Sequence, residues 1–535
     1  MTYPMDDISH VHRVNAVVSA VKARPEGQKI SIRKATPGHQ LHNGGWKRSC
    51  HRVDVSSLDN VLGFVEGIDR AGAPTLLAVC EGQVTMMTLV RASMARGYIP
   101  QVVPEFPDFT VAGLVNGDGI QSSAFRYGTF THTVTELEVV LGNGEVRRVS
   151  KATDLELFTF VLESYGSMAI VTAAVVALRP CLPFVRTQYT AFSDLDQFIT
   201  AFDGAVRSQM GDFLEGIVYG RRCYVLISSS FASSQENMRQ FDPKPLDVES
   251  GEQYYYQYIR RVVLGGDSRN FKAGDPASGV MRPIDVIPTE SFVFRSSRGL
   301  YWMLETHINM DAMMKYAWFR RLLDRKVCDA MKSKGFESNG HLSPEESQRC
   351  VVQQDMGIML KRLKEGIEWV ENRLGVYPLW LCPVAAKRSL KTAPFYLALH
   401  PEAAKCMADE YVVDIGVYGE PTVQPFHHRR IVRALQEFVD APSMWGVCYK
   451  PKEELVAAWK PIRDKYHATD VFVGVEQKVT FQGEESEQLL NEGPIFAWRL
   501  VDHHGWYWWL KLPLIAAVVL YGVAKVIGVL WAYCA

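Results

Sequence analysis

The chain has 535 residues, 47% hydrophobic and 22% charged, with 58 Lys and Arg against 59 Asp and Glu. That length holds about two to four domains at ~150 residues each, and the composition is globular, with no low-complexity tract. A formal charge of −1 gives no field to gather a polyanion, which argues against nucleic acid as a partner.

Taken in chain order, residues 1–13 carry Asp6, Asp7 and two histidines with no apolar run, unlike a secretory signal. The ten cysteines are scattered, without a C-x-x-C pair or a His/Cys cluster at zinc-ligand spacing, so no metal site is expected and a reducing compartment is favoured. From 15 to 180 short strands mix with helices. The runs 76–79, 134–141 and 170–178 are strand-like, and 61–68 and 83–94 have helical spacing. Gly142-Asn143-Gly144, between 137–141 and 146–149, is a hairpin signal. The pattern is α+β and lacks regular βαβ alternation.

Beyond 180, residues 223–228 predict a strand and the polar, Gly- and Pro-rich 265–288 a long loop. Helices are expected at 310–334, at 344–374 with its i,i+4 charge pairs, at 429–439, and at 452–466 with a break at Pro461. Strands are expected at 379–382 and 411–417. An acidic linker, 482–496, precedes a different kind of segment. From Trp506 the chain reads WYWWLKLPLIAAVVLYGVAKVIGVLWAYCA, an aromatic belt followed by an apolar run of bilayer-spanning length. Lys525, deep in that run, opposes a simple span, so an anchor that crosses the membrane and a helix lying in its interface both remain open.

The window 104–132, PEFPDFTVAGLVNGDGIQSSAFRYGTFTH, gathers Gly113, Gly117, Gly119 and Gly128 with Thr110, Ser122 and Ser123. Glycines let a backbone approach a diphosphate, and hydroxyls add donors, although surface turns are glycine-rich too. The rest of the pattern is more specific. Arg126-Tyr127-Gly128 closes the window, the 134–149 hairpin follows, and Glu163-Ser164-Tyr165-Gly166 leads into Ile170-Val171-Thr172. This order resembles the FAD-binding domain of the vanillyl-alcohol-oxidase-like (PCMH-type) flavoproteins. Within them it is similar to the Δ24-sterol reductase (Diminuto/seladin-like) family, whose patches have counterparts in VYPLWLCP at 376–383, DIGVYGEP at 414–421 and Arg295-x-x-Arg298-x-x-Tyr301-Trp302. The likeness runs from about 26 to 480.

That resemblance implies an α+β protein: a PCMH-type FAD-binding domain at 15–180, an α+β substrate (cap) domain at 181–480, an acidic linker at 481–505 and a hydrophobic membrane tail at 506–535. It places Thr110-Val111-Ala112-Gly113-Leu114-Val115-Asn116-Gly117-Asp118-Gly119-Ile120-Gln121-Ser122 at FAD, with Gly166 and Ile170 beside the adenosine. The earlier pyrophosphate loop of such domains falls on Thr36-Pro37-Gly38-His39-Gln40. His39 lacks the tandem glycines that precede a flavin-linking histidine, so FAD is expected to be non-covalent. NADPH is the implied electron donor, although no G-x-G-x-x-G follows a strand. The implied partners are a sterol and the endoplasmic reticulum membrane, with the body on the cytosolic side. The family's anchor is N-terminal, whereas the hydrophobic segment here is C-terminal. The implied activity is reduction of a sterol side-chain double bond.

An isolated alkene needs a proton at its less substituted carbon and a hydride at the other, so an acid must face an apolar pocket. Glu420, Tyr418 and Tyr377 are the candidates, with Glu305 a further one, and the patches 376–383 and 414–421 are expected to face each other across the flavin. Arg295 and Arg298 are expected either to balance the flavin's negative N1–C2 region or to pair with surface acids. The same residues also admit an oxidase or dehydrogenase acting on an alcohol or sugar lactone, or a non-catalytic scaffold.

Overall fold

The computed structural model describes residues 3–35, 47, 49–104, 106–233, 254–264, 280–281, 285–297, 302, 352–385, 411–419, 421–422, 434, 437–438, 447–448 and 460–473. The tail at 506–535, the acidic linker, Glu420, Glu305, Arg298, Tyr301, the 36–40 loop and the helix expected at 310–334 lie outside them. Among the described residues no helix is long and apolar enough to cross a membrane.

Helix α1 (Ile8–Lys22) begins where the Asp7 carboxylate accepts the N–H groups of Ser9 and His10 at 2.9 and 3.1 Å. Its Val14, Val17 and Val21 pack on a parallel pair, β1 (Ile30–Arg33) and β2 (His51–Asp54). Next come β3 (Val61–Ile68), β4 (Pro74–Glu81), α2 (Met86–Met94), β5 (Tyr98–Pro100), α3 (Val111–Gly117) and α4 (Ala124–Tyr127). The hairpin β6 (Val134–Val140) and β7 (Val146–Ser150) forms around Gly142-Asn143-Gly144 as its turn chemistry predicts. Helix α5 (Leu155–Val161) leads to β8 (Ile170–Pro180), the apolar middle of a six-stranded sheet ordered β3-β4-β8-β6-β7, with β5 pairing on β8.

The chain then changes sheets. β9 (Phe184–Phe192), α6 (Leu195–Arg207), β10 (Phe213–Gly220), β11 (Cys223–Ala232), α7 (Tyr255–Leu264), β12 (Val280–Met281), β13 (Asp285–Pro288) and α8 (Thr289–Val293) follow. They are succeeded by β14 (Val352–Met359), α9 (Leu363–Arg373), β15 (Leu379–Ala385), β16 (Tyr411–Gly419) and β17 (Val447–Cys448). These strands make a nine-stranded antiparallel sheet ordered β12-β9-β11-β10-β15-β16-β14-β17, with β13 beside β9. One core joins the two sheets: Val176 and Leu178 of β8 pack in the same cluster as Phe213, Ile217 and Val225. Residues 460–473 return to the first unit, where the Ile30 N–H donates to Val471 O at 2.7 Å.

The elements differ from the sequence expectations at three places. Residues 61–68 are a strand, because edge pairing with β4 overrides a helical spacing already weakened by two glycines. At Gly67 a Cβ would sit 2.5 Å from Leu77 Cδ1, so any larger residue there would push the Leu77 side chain aside. Among the described residues of 344–374 the α-helix is confined to α9, since 352–359 pair with β16 on one side and 356–357 with β17 on the other. The long loop at 265–288 contains β12 and β13, both recruited to the edge of β9.

One buried polar network fastens α1 to the first sheet. His10 Nδ1 meets Glu81 Oε1 at 2.7 Å and its Nε2 meets Glu138 Oε1 at 2.9 Å. Arg13, Asn60, Arg148 and Thr172 satisfy the remaining carboxylate positions. Burial alone disfavours the imidazolium, but the bonds to Glu138 and Glu81 outweigh it and raise the His10 pKa from 6.5 to about 9. Both glutamates, despite their burial, are held below the ordinary carboxylate value by the bonds from His10 and the flanking groups. The histidine contribution, on the order of 3 kcal/mol, is fully present below pH 6.5 and is lost as pH rises through about 9. The glutamate contribution is present above the unfolded value of 4.5 and is lost as pH falls through the lower folded values. Thermal unfolding should therefore show the midpoint falling between pH 6.5 and 9, and His10→Gln should flatten that slope; an equal slope in both proteins would refute it.

Candidate active site

The glycine-rich window folds into α3, α4 and the turns between them. Thr110 caps α3, its hydroxyl accepting the Gly113 N–H at 3.1 Å. The Val111 and Ala112 N–H groups donate to Val84 O and Gly82 O at 2.9 and 2.7 Å, and Leu114 N–H to Thr110 O. The first-turn donors of α3 are thus engaged within the chain. A Cβ on Gly119 would lie 2.7 Å from Pro104 Cγ, so close packing demands that glycine; on Gly117 it would meet nothing. The Asn116 side chain binds the 164–166 turn, accepting the Ser164 hydroxyl at 3.1 Å and the Gly166 N–H at 2.9 Å. Asp118 accepts the Thr131 N–H, and Val115 lies in the core. Ile170 packs its side chain into the core beside Val140 and Phe472.

Charge for an anion comes from outside the window. Lys34, at the end of β1, places its Nζ 3.7 Å from where a Gly113 Cβ would be, beside the first turn of α3. Burial and the neighbouring Lys47 lower its pKa from 10.5 to about 8. Burial, and then Arg52, lowers that of Lys47. No carboxylate among the described residues forms an ion pair with Lys34. A half-buried ammonium repelled by a second one suits a bound diphosphate, whose charge would offset both the repulsion and the desolvation of Lys34. Sequence reasoning passed over Lys34; its place at the head of the 36–40 loop was the available signal.

The far end of the window meets the nine-stranded sheet. Alternation gives β15 two faces: Leu379 and Leu381 join the core under α6 and α9, while Trp380, Cys382 and Val384 face the other way. On β16, Val413, Ile415 and Val417 go to the helix side, and Tyr418 goes with Trp380. On that second face lies an aromatic cluster of Tyr254, Tyr256, Trp302 and Trp380, completed by Ile120 and Ala124 of the glycine-rich window. A cavity there is lined by Glu215, Arg295, Trp302, Trp380 and the successive Tyr254, Tyr255 and Tyr256.

The charged pair in its wall is bonded throughout. Arg295 Nη2 lies 2.6 Å from Glu215 Oε1, and Trp380 Nε1 donates to Glu215 Oε2 at 2.8 Å. The same Arg295 nitrogen reaches Gln121 Oε1 at 3.1 Å and Ser122 Oγ at 3.0 Å. Arg295 is therefore a buried residue bonded to the glycine-rich window, not a surface partner. Glu215 was not singled out from the sequence, although a lone acid inside the apolar run FLEGIVYG is a visible anomaly.

The proton-donor candidates separate. Tyr418 borders the aromatic cluster: Trp302 Nε1 donates to its carbonyl at 2.8 Å, and the two rings lie 6.1 Å apart. Its hydroxyl donates to Asp355 on β14, whose carboxyl burial pushes up although that bond opposes the shift. Gly416 makes this possible, because a Cβ there would lie 2.8 Å from the Tyr418 ring. Tyr377 lies instead against the helix-side core, where burial, and then Glu371 of α9, pushes its phenol up. β15 and β16 are neighbours in one sheet, with Leu379 opposite Val417 and Cys382 opposite Asp414, so the two patches stand side by side and do not face one another.

These features set the glycine-rich window, with Lys34 at one end, against an aromatic cluster at the other. Residues 9–150 match the family described as FAD binding domain, and the chain is an FAD-binding oxidoreductase with a PCMH-type flavin domain. It is similar to human Delta(24)-sterol reductase, 25% identical over 483 residues that cover 88% of this chain and 86% of the relative. The Delta(24)-sterol reductase of Arabidopsis thaliana is 25% identical over 90% of this chain and 86% of its own length. Cytokinin dehydrogenase 2 of rice is 30% identical, over 38% of each chain. Relatives spanning the chain thus carry the sterol reductase name, as the resemblance implied.

Lys34→Met should raise the FAD dissociation constant about tenfold, the size of one charge-assisted hydrogen bond. Because an anion would raise the Lys34 pKa from about 8, wild-type affinity should fall as pH passes that value, and the variant's should fall less. Quenching of flavin fluorescence on titration with apoprotein measures both; unchanged affinity would remove Lys34 from the site.

Proposed function

We propose that this chain reduces a carbon–carbon double bond in the side chain of a sterol, with non-covalent FAD and with NADPH as electron donor. The observation that carries this is the aromatic cluster on the second face of the nine-stranded sheet, which packs against Ile120 and Ala124 of the glycine-rich window and holds a small cavity among its rings. Two tryptophans and three tyrosines suit a hydrocarbon ligand. The similarity to proteins named Delta(24)-sterol reductase supports the choice of ligand and of bond.

When bound, FAD supplies the hydride. The chain's own residues do the rest. Lys34 and the glycine-rich window would hold the cofactor. The ring faces of Trp302, Trp380 and Tyr254 keep water from the alkene. Tyr418 gives the proton to the less substituted carbon, and Asp355, whose burial favours the protonated carboxyl, then reverses their hydrogen bond and returns a proton to the phenolate oxygen. Residues 506–535 attach the enzyme to the endoplasmic reticulum membrane, where a sterol partitions.

Sterol profiles by mass spectrometry, in cells with and without the enzyme, test the activity: a saturated side chain should appear only with it. Tyr418→Phe should slow sterol-driven flavin reoxidation ~10²–10⁴-fold, as loss of a general acid does, and leave flavin reduction by NADPH unchanged. Stopped-flow absorbance separates the two steps, and normal reoxidation in the variant would exclude Tyr418. A chain ending at residue 500 should move to the soluble fraction and keep its FAD; firm membrane binding without the tail would place the anchor elsewhere.

A further inference from the structure

Arg295 stands where the two units of the molecule meet. Toward the flavin unit its Nη2 bonds Gln121 Oε1 and Ser122 Oγ at 3.1 and 3.0 Å. Toward the nine-stranded sheet its Nε and Nη2 reach Glu215 Oε1 at 3.1 and 2.6 Å, and Nη1 donates to Phe292 O. Glu215 then accepts Trp380 Nε1 at 2.8 Å. The backbone repeats the connection, since Leu214 N–H donates to Ser122 O at 2.7 Å. An unbroken line of hydrogen bonds thus runs from the glycine-rich window to the tryptophan wall of the cavity.

Arg295 is 3% exposed and Glu215 4%. A buried ion pair is seldom more stabilising than apolar side chains of the same volume. A hydrocarbon ligand has no use for charge in its pocket either. What the pair does supply is fixed geometry, because a planar guanidinium bonds several partners in one orientation only.

We infer that Arg295, acting with Glu215, is a positioning residue that keeps the Trp380 wall of the substrate cavity in register with the flavin loop. Hydride transfer depends on that register; binding of cofactor or of substrate alone does not. The inference rests on the sterol-reductase proposal and adds to it a residue that acts through Trp380.

Arg295→Lys keeps the charge and loses the planar fork, and Glu215→Gln keeps the volume and loses the charge. In each holoenzyme, sterol-driven flavin reoxidation should slow about 10²-fold, the cost of a misplacement near 1 Å. Dissociation constants for FAD and sterol should stay within about threefold of wild type, and the double variant should be no slower than the slower single, as for residues acting as a unit. A second readout needs no turnover. Adding FAD to wild-type apoprotein should change the fluorescence of Trp380, identified by difference from Trp380→Phe, and Arg295→Lys should abolish that change. Wild-type reoxidation by Arg295→Lys would overturn the inference. So would loss of FAD and sterol binding in step with the unfolding temperature, which is the mark of a merely structural role. If no sterol reoxidises even the wild-type flavin, the proposed activity falls, and the Trp380 signal decides the strut by itself: its persistence in Arg295→Lys overturns it. If Arg295→Lys does not fold, Glu215→Gln takes its place in both measurements: slowed reoxidation with a lost Trp380 signal supports the strut, and wild-type behaviour in either overturns it.

Discussion

The register between β15 and β16 is the constraint on which the candidate site depends. With Leu379 opposite Val417 and Trp380 opposite Gly416, every second residue of each strand is committed to one face. A slip by one residue would send Trp380 and Tyr418 under α6 and α9 and bring Leu381 and Ile415 into the cavity wall. The register is held from both sides: β10 pairs with β15 and β14 with β16, so neither strand is an edge. The apolar residues of the helix side, Leu379, Leu381, Val413, Ile415 and Val417, thereby fix the chemistry of the opposite face, which they never touch.

Within that face, small residues decide where large ones can go. Gly416 lies between Asp414 and Tyr418 on the same side of β16, and its missing side chain is the space over which the Tyr418 ring leans to reach Asp355. The segment Asp414-Ile415-Gly416-Val417-Tyr418 therefore has a physical logic of its own: branched residues face the helices, and a glycine clears the path of a phenol. The placement of Asp355 opposite Gly416 on β14 completes it.

Much of the flavin unit was legible because its signals are local. The hairpin at 142–144 is written in its turn residues, and the central strand β8 in an unbroken apolar run. The cavity was legible only in part. Trp380, Trp302 and Tyr418 stood out in sequence patches, but Glu215, Asp355 and the tyrosines of 254–256 come from strands and a helix whose pairing no local pattern reveals. The same nonlocality explains 61–68 and 352–359, where a helical spacing gave way to partners distant in sequence. Tyr377 shows the converse: it shares a patch with Trp380, yet it precedes β15 and lies toward Glu371 and the helices.

The division between holding and reacting follows the two units. The first unit is fastened by charged groups buried in pairs, His10 with Glu81 and Glu138, and it presents lysines and tight glycine packing at one end. The second presents rings. Beside the core they share, one polar contact joins them: Arg295 reads Gln121 and Ser122 on one side and Glu215 on the other. The proposed sterol, neutral and mostly featureless, offers few hydrogen bonds by which an enzyme could aim it. Aim must then come from the walls themselves, and a wall can aim only if it is tied to the cofactor's own support. Trp380, bonded through Glu215 and Arg295 to the segment that closes the flavin loop, is the wall that is tied in this way.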